Sequence, residues 1–145
     1  MISYQNKDIK FNFTGKRICS KWIKNVVDSF SNSELIVGNL TIVFCDDNYI
    51  LSVNNEFLKH NYYTDIITFD YTHDNILSGD LLISIDTVKD NSVHYDTLFR
   101  EELNRVIIHG VLHLMGYNDH NSEEKKEMKK MENLALTILN THIHD

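Results

Sequence analysis

Apolar positions recur at two spacings along the chain, and those spacings divide it into strands and helices. Ile9-Lys10-Phe11-Asn12-Phe13 alternates apolar and polar, the period of a half-buried strand. Over residues 15–31, Ile18, Trp22, Val26 and Phe30 fall four apart. This predicts an amphipathic helix with Trp22 in the core and Lys16, Lys21 and Lys24 off the stripe. Leu40-Thr41-Ile42-Val43-Phe44 predicts a buried strand, and Asp46 or Asp47 is placed to cap a helix through Ile50, Leu51, Val53 and Leu58. The β-branched run Thr64–Asp70 predicts another strand. After a polar turn at His73-Asp74-Asn75, Gly79–Ile85 reads as a further strand, and residues 86–95 as a helix with Asp86 near its cap.

Residues 97–115 differ from the rest. Leu98, Leu103, Val106, Ile107, Val111, Leu112 and Leu114 cover nearly the whole circumference of a helix. A helix apolar all round is a central, buried one. Gly116 is placed to end it in a left-handed turn. A last amphipathic helix is expected from Ser122 to about Leu139, with glutamates near its start. Strands mixed with helices predict an α+β fold in which the central helix packs on one sheet face. With no proline, no low-complexity run and no repeat, nothing marks a linker, and residues 1–145 are expected to form one domain.

Composition narrows the class. A hydrophobic fraction of 42% is that of a soluble globular chain. Cys19 and Cys45 form no C-x-x-C pair and lie near no histidine cluster, so they read as reduced, semi-buried thiols of a reducing compartment. The first residues lack a basic start followed by an apolar core, and no apolar run approaches the roughly 18 residues of a membrane helix. A cytoplasmic protein with no membrane partner is the expectation. The net charge of −7 argues against tight non-specific nucleic-acid binding. It is uneven, however: residues 1–31 balance at +4, residues 32–115 at −9 and residues 116–145 at −2. The basic first part is either a local phosphate-facing patch or a set of solvated lysines.

The chemistry concentrates in HGVLHLMGYNDH, residues 109–120. His109 and His113 are four apart, on one face of the central helix, with Cβ atoms roughly 5–6 Å apart. Two imidazole nitrogens at that spacing can share one zinc. Burying them in an apolar helix with no partner would be costly. Gly116 then lets the chain reverse and return Asp119 or His120 toward the same ion. This is the arrangement of metzincin-type zinc sites: two helix histidines, a glycine turn and one further ligand. A zinc peptidase would carry its general base, a glutamate, directly after the first histidine. Here that residue is Gly110.

HGVLHLMGYNDH resembles the H-G-x-L-H-L-x-G-Y-D-H signature of the YbeY family, the bacterial metal-dependent endoribonucleases of ribosomal RNA maturation. The resemblance extends upstream to Val53-Asn54-Asn55-Glu56-Phe57, Tyr63-Thr64-Asp65-Ile66-Ile67-Thr68-Phe69 and Gly79-Asp80-Leu81-Leu82-Ile83-Ser84, in the family's order and spacing across about residues 40–120. It implies an α+β domain with a small mixed sheet against the metal-bearing helix. It also implies single-strand-specific RNA cleavage, used in trimming the small-subunit rRNA 3′ end and in ribosome quality control, with one zinc ion per chain. The expected partners are single-stranded RNA, the small ribosomal subunit and assembly proteins, with no role for DNA. Where the family reads G-Y-D-H, this chain reads Gly116-Tyr117-Asn118-Asp119-His120. Counted without a gap, the family's third histidine falls on Asp119; counted with Asn118 inserted, it falls on His120. The ungapped count makes His109, His113 and Asp119 the ligands and leaves His120 for proton transfer.

Two further departures follow from the same comparison. The arginine usual six residues before the T-D pair is replaced by Leu58, with Lys59 beside it, and proline is replaced by Tyr63. Glu102, two turns before His109, is a second candidate base or a partner of the site. Asp65 and Thr68 are candidates to line the cleft, and Tyr62, Tyr63, Tyr71 and Tyr117 are candidate stacking or packing aromatics. Two rival functions stand beside the endoribonuclease. One is a zinc hydrolase of a peptide or small amide, against which Gly110 counts. The other is a ribosome-associated module with a structural metal, which a closed site using both Asp119 and His120 would favour.

Overall fold

The computed structural model describes residues 1–58 and 64–144. Lys59, Tyr62 and Tyr63 lie outside the described residues. The elements in chain order are β1 (Ile2–Asn6), α1 (Lys16–Phe30), β2 (Ile36–Cys45), α2 (Asp47–Phe57), β3 (Ile66–Asp70), β4 (Ile76–Ser84), α3 (Ile85–His94), α4 (Phe99–Leu114) and α5 (Ser122–His144). The strands form one mixed sheet in the order β1-β2-β4-β3. β1, β2 and β4 run parallel, while β3 returns antiparallel on β4 and forms an edge.

Strand alternation sorts the side chains onto two faces. Leu40, Ile42 and Phe44 of β2, with Leu77, Leu81 and Ile83 of β4, join Trp22, Val26, Leu103, Ile107, Val111 and Ala135 in the main core. This face is covered by α1 and α4, and α5 packs on both of them. Cys45, Ile67 and Leu82 point the other way and meet Ile50 and Val53 of α2 in a smaller core. Trp22 lies fully inside, and its indole N–H donates to the Ala135 carbonyl at 2.7 Å, which ties α1 to α5. Both cysteines are buried and free. Burial, reinforced by Asp46, Asp47 and Asp86, pushes the Cys45 thiol up to about 12, so it carries no thiolate at neutral pH.

The expected α+β fold with α4 against the sheet is the one observed. One local expectation is corrected. Residues 9–13 are not a strand, because no strand lies beside them to accept a ladder. Their alternation is real, but it serves packing: the Phe11 and Phe13 rings sit 5.0 and 5.1 Å from the Phe44 ring and close the end of the core. The true first strand is Ile2–Asn6, aligned on Leu40–Phe44. Helix α5 opens at Ser122 as expected and runs beyond Leu139 to His144; Asn121 precedes it, and its side-chain oxygen accepts from the Glu124 N–H at 2.8 Å.

Candidate metal centre

Helix α4 ends where the sequence places its glycine. Gly116 adopts φ +103°, its N–H donates to the His113 carbonyl, and the Tyr117 N–H donates to the Leu112 carbonyl, both at 3.0 Å. This paired closure is a Schellman turn. It reverses the chain and brings Asp119 back over the last turn of α4. Asp119 Oδ2 lies 3.4 Å from His109 Nε2 and 3.5 Å from His113 Nε2, and the two Nε2 atoms are 3.0 Å apart. One donor atom from each residue falls within 4.8 Å of the others. A tetrahedral ion with ligand distances of about 2.0–2.1 Å has ligand atoms about 3.3 Å apart. The triangle therefore fits one such ion. His120 is exposed and stands outside the group, which among the described residues has no fourth member.

The imidazoles are set by different partners. His109 Nδ1 donates to Glu132 Oε2 at 2.6 Å, and the other Glu132 oxygen accepts from Arg105 Nη1 at 2.8 Å. With its proton held on Nδ1, His109 presents the Nε2 lone pair to the triangle. Burial alone would lower the His109 pKa. The hydrogen bond and charge of Glu132, with Asp119 and Asp65, outweigh it and the shift is upward. His113 shifts downward through burial and the neighbouring His109, against the pull of Asp119. Glu132 is also buried, yet its bonds to His109 and Arg105 hold its carboxyl below the ordinary value.

Glu132 was not singled out in the sequence. Its signal is present, however: Met128, Glu132, Ala135 and Leu139 form the buried stripe of α5, and one of the four is a carboxylate. A charge in the apolar stripe of a helix needs a partner, and the fold supplies two.

Stability should record this pair. Glu132 raises the His109 pKa, so that contribution is full below the ordinary imidazole value of 6.5 and is lost as pH rises through the raised folded value. The lowered Glu132 contributes above the ordinary carboxyl value of 4.5 and is lost as pH falls through its folded value. Glu132→Gln is therefore expected to destabilise the metal-free protein most between those two ordinary values and progressively less as pH rises through the raised His109 value. Urea unfolding across pH checks the window, and NMR of the His109 ring should show its pKa falling in the variant. An unchanged ring titration would exclude the pairing.

Two cavities open on the triangle. One, of about 390 Å³, runs along β3 and is lined by Asn54, Leu58, Thr68 and Asp70 beside both histidines and Asp119. The other, of about 540 Å³, runs toward α5 and is lined by Asp65, Glu102 and Glu132 with His109 and Asp119. Thr68 and Asp65 thus each line a cavity, but different ones. Burial and the nearby Asp65 push the Glu102 carboxyl up. Burial likewise raises Asp65, against the charge of His109. Among the candidate aromatics, Tyr71 is exposed and Tyr117 half-buried, and neither lines these cavities.

Comparison with known proteins gives a consistent result. The family profile described as Endoribonuclease YbeY matches residues 1–140. An Endoribonuclease YbeY of Parabacteroides distasonis is 47% identical over 138 residues, which cover 95% of each chain. One from Bacteroides fragilis is 48% identical over 137 residues, covering 94% of this chain and 96% of its own. A solution structure from Thermotoga maritima superposes with a TM-score of 0.63 over 96% of this chain and 89% of its own, at 21% identity, and shows the same fold.

Proposed function

The chain belongs to the YbeY endoribonuclease family, and from that premise we propose that it is a zinc-dependent endoribonuclease that cuts single-stranded RNA during maturation of the small-subunit rRNA 3′ end. The observation that carries the metal reading is the triangle of His109 Nε2, His113 Nε2 and Asp119 Oδ2, sized for one ion where two cavities meet. His109, His113 and Asp119 would hold a divalent ion there, which would supply acidification of water and polarisation of a phosphoryl oxygen. The protein's own groups do the rest. Glu132 keeps the His109 proton on Nδ1, and Arg105 balances the Glu132 charge. His120, next to Asp119, is the group assigned to proton transfer with solvent.

The peptidase rival is not supported, because Gly110 faces the sheet and lines neither cavity. A structural metal is disfavoured by the three-donor group, which leaves a position for reactants. Among the described residues no helix is long and apolar enough to cross a membrane. We place the protein in the cytoplasm with the small ribosomal subunit and assembly proteins as partners. Such partners would help recruit RNA to a chain of net charge −7.

The test uses zinc-loaded protein with matched single- and double-stranded RNA. We expect cleavage of the single strand only, loss on chelation, recovery with added zinc and no cleavage by His113→Ala. Single-stranded RNA left intact by the zinc-loaded wild type would overturn the reading.

A further inference from the structure

The two cavities that meet at His109 and Asp119 differ in charge. Among the described residues, the β3-side cavity is lined by no lysine or arginine, and Leu58 occupies the position where the family resemblance places an arginine. The α5-side cavity carries Arg105, Lys125 and Lys129. Arg105 is already engaged by Glu132 and Asn133, at 2.8 and 2.9 Å. Lys125 and Lys129 lie one turn apart on α5, are exposed, and pair with no carboxylate among the described residues. Among the described residues, the cations free to meet an anionic strand beside the metal centre are therefore on the α5 side.

The floor of this cavity has the opposite character. Glu102 is only 8% exposed, and among the described residues its side chain makes no hydrogen bond or ion pair. It lines the cavity with Asp65. Its oxygens open on the cavity, because no side-chain oxygen among the described residues is sealed from solvent without a partner, and an ionised carboxylate can only accept. Glu102 is thus a deep acceptor awaiting an N–H group. Tyr95, at the rim, is 62% exposed and offers a ring face.

Cations and an aromatic ring at the mouth, with acceptors at depth, match the parts of a nucleotide. We propose that this cavity seats the nucleoside adjoining the scissile phosphate and prefers guanine, with the base edge toward Glu102 and Asp65 and the backbone along Lys125 and Lys129. Guanine presents two adjacent donors, N1–H and the N2 amino group, to the two oxygens of one carboxylate. Uracil offers one imino N–H between two carbonyls, whose lone pairs oppose the carboxylate. The inference rests on the endoribonuclease reading above and assigns its substrate preference.

The test titrates guanosine, inosine and uridine 5′-monophosphates into the zinc-loaded full chain. We expect guanosine monophosphate to bind at least ~10-fold tighter than uridine monophosphate, the scale of one bidentate contact. Inosine monophosphate, which lacks the N2 amino group, should fall between them. Glu102→Gln, close in shape, should bring guanosine monophosphate to the uridine level. Lys125→Ala with Lys129→Ala should weaken all three alike and keep the ratio. Lys21→Ala with Lys24→Ala on α1 should change nothing. Equal binding of guanosine and uridine monophosphates, or a guanine preference that survives Glu102→Gln, would overturn the proposal and leave the RNA-cleavage reading standing. The expected pattern in a protein that leaves RNA intact would do the reverse.

Discussion

Supplied with zinc, Asp119→Ala is expected to fail to hold it, and His120→Ala to bind it. The two residues are adjacent, but the turn after α4 separates them: Asp119 reaches within 3.4 and 3.5 Å of the two Nε2 atoms, while His120 faces solvent. Removing a partner that only orients a ligand costs about 10–100-fold in metal affinity, so removing one of three ligands should cost at least ~100-fold. His109→Ala and His113→Ala should lose the metal as well. Asp119→His should retain it, since the ungapped family alignment puts a histidine there. Asp119 is a half-exposed loop residue, so its alanine variant should stay folded without metal. Zinc stoichiometry and chelator competition decide the matter. A zinc-free His120→Ala beside a zinc-loaded Asp119→Ala would make Asn118 an insertion and His120 the ligand. If His120→Ala keeps zinc but loses RNA cleavage, its role is proton transfer.

Much of this site was legible before the structure because it is local. The i, i+4 histidines, the glycine and the returning polar residues lie within twelve residues, and helix geometry relates them directly. The apolar circumference of residues 97–115 identified α4 as central for the same reason. What could not be read depends on the packing of distant segments. Glu132 lies 23 residues beyond His109 and reaches it only because α5 folds back along α4. Glu102 was placed on the His109 side of the helix, but its place in a cavity beside Asp65 needs β3 in position. The misread first strand has a related cause. Period-two alternation reports that alternate residues face the core, not that a neighbour accepts the ladder, and Phe13, buried, and Phe11, half-buried, pack against aromatic rings.

Gly110 ties the fold to the choice of chemistry, and its replacement by glutamate is expected to abolish folding rather than create a peptidase. A Cβ at this position would lie 2.7 Å from Ile66 Cδ1 and 2.9 and 3.0 Å from the Leu81 methyl carbons. Glycine therefore lets α4 pack close to β3 and β4, which is how His109 and His113 come to line the cavity along β3. Gly110→Ala sets two effects against each other. Alanine gains about 1 kcal/mol of helix propensity, while overpacking costs about 1–3 kcal/mol. Because the opposing atoms are side-chain ends that can shift, a net loss of ~1 kcal/mol is expected, with zinc binding intact. Gly110→Glu has no such relief. Its carboxylate would enter an apolar contact without a donor, adding several kcal/mol to the overpacking. The sum is comparable to the whole stability of a small domain, about 5–15 kcal/mol. Urea unfolding should show a cooperative transition for the alanine variant and none for the glutamate variant. A folded, zinc-loaded Gly110→Glu protein would mean that α4 can move off the sheet. The absence of glutamate at this position would then carry no weight against peptide hydrolysis.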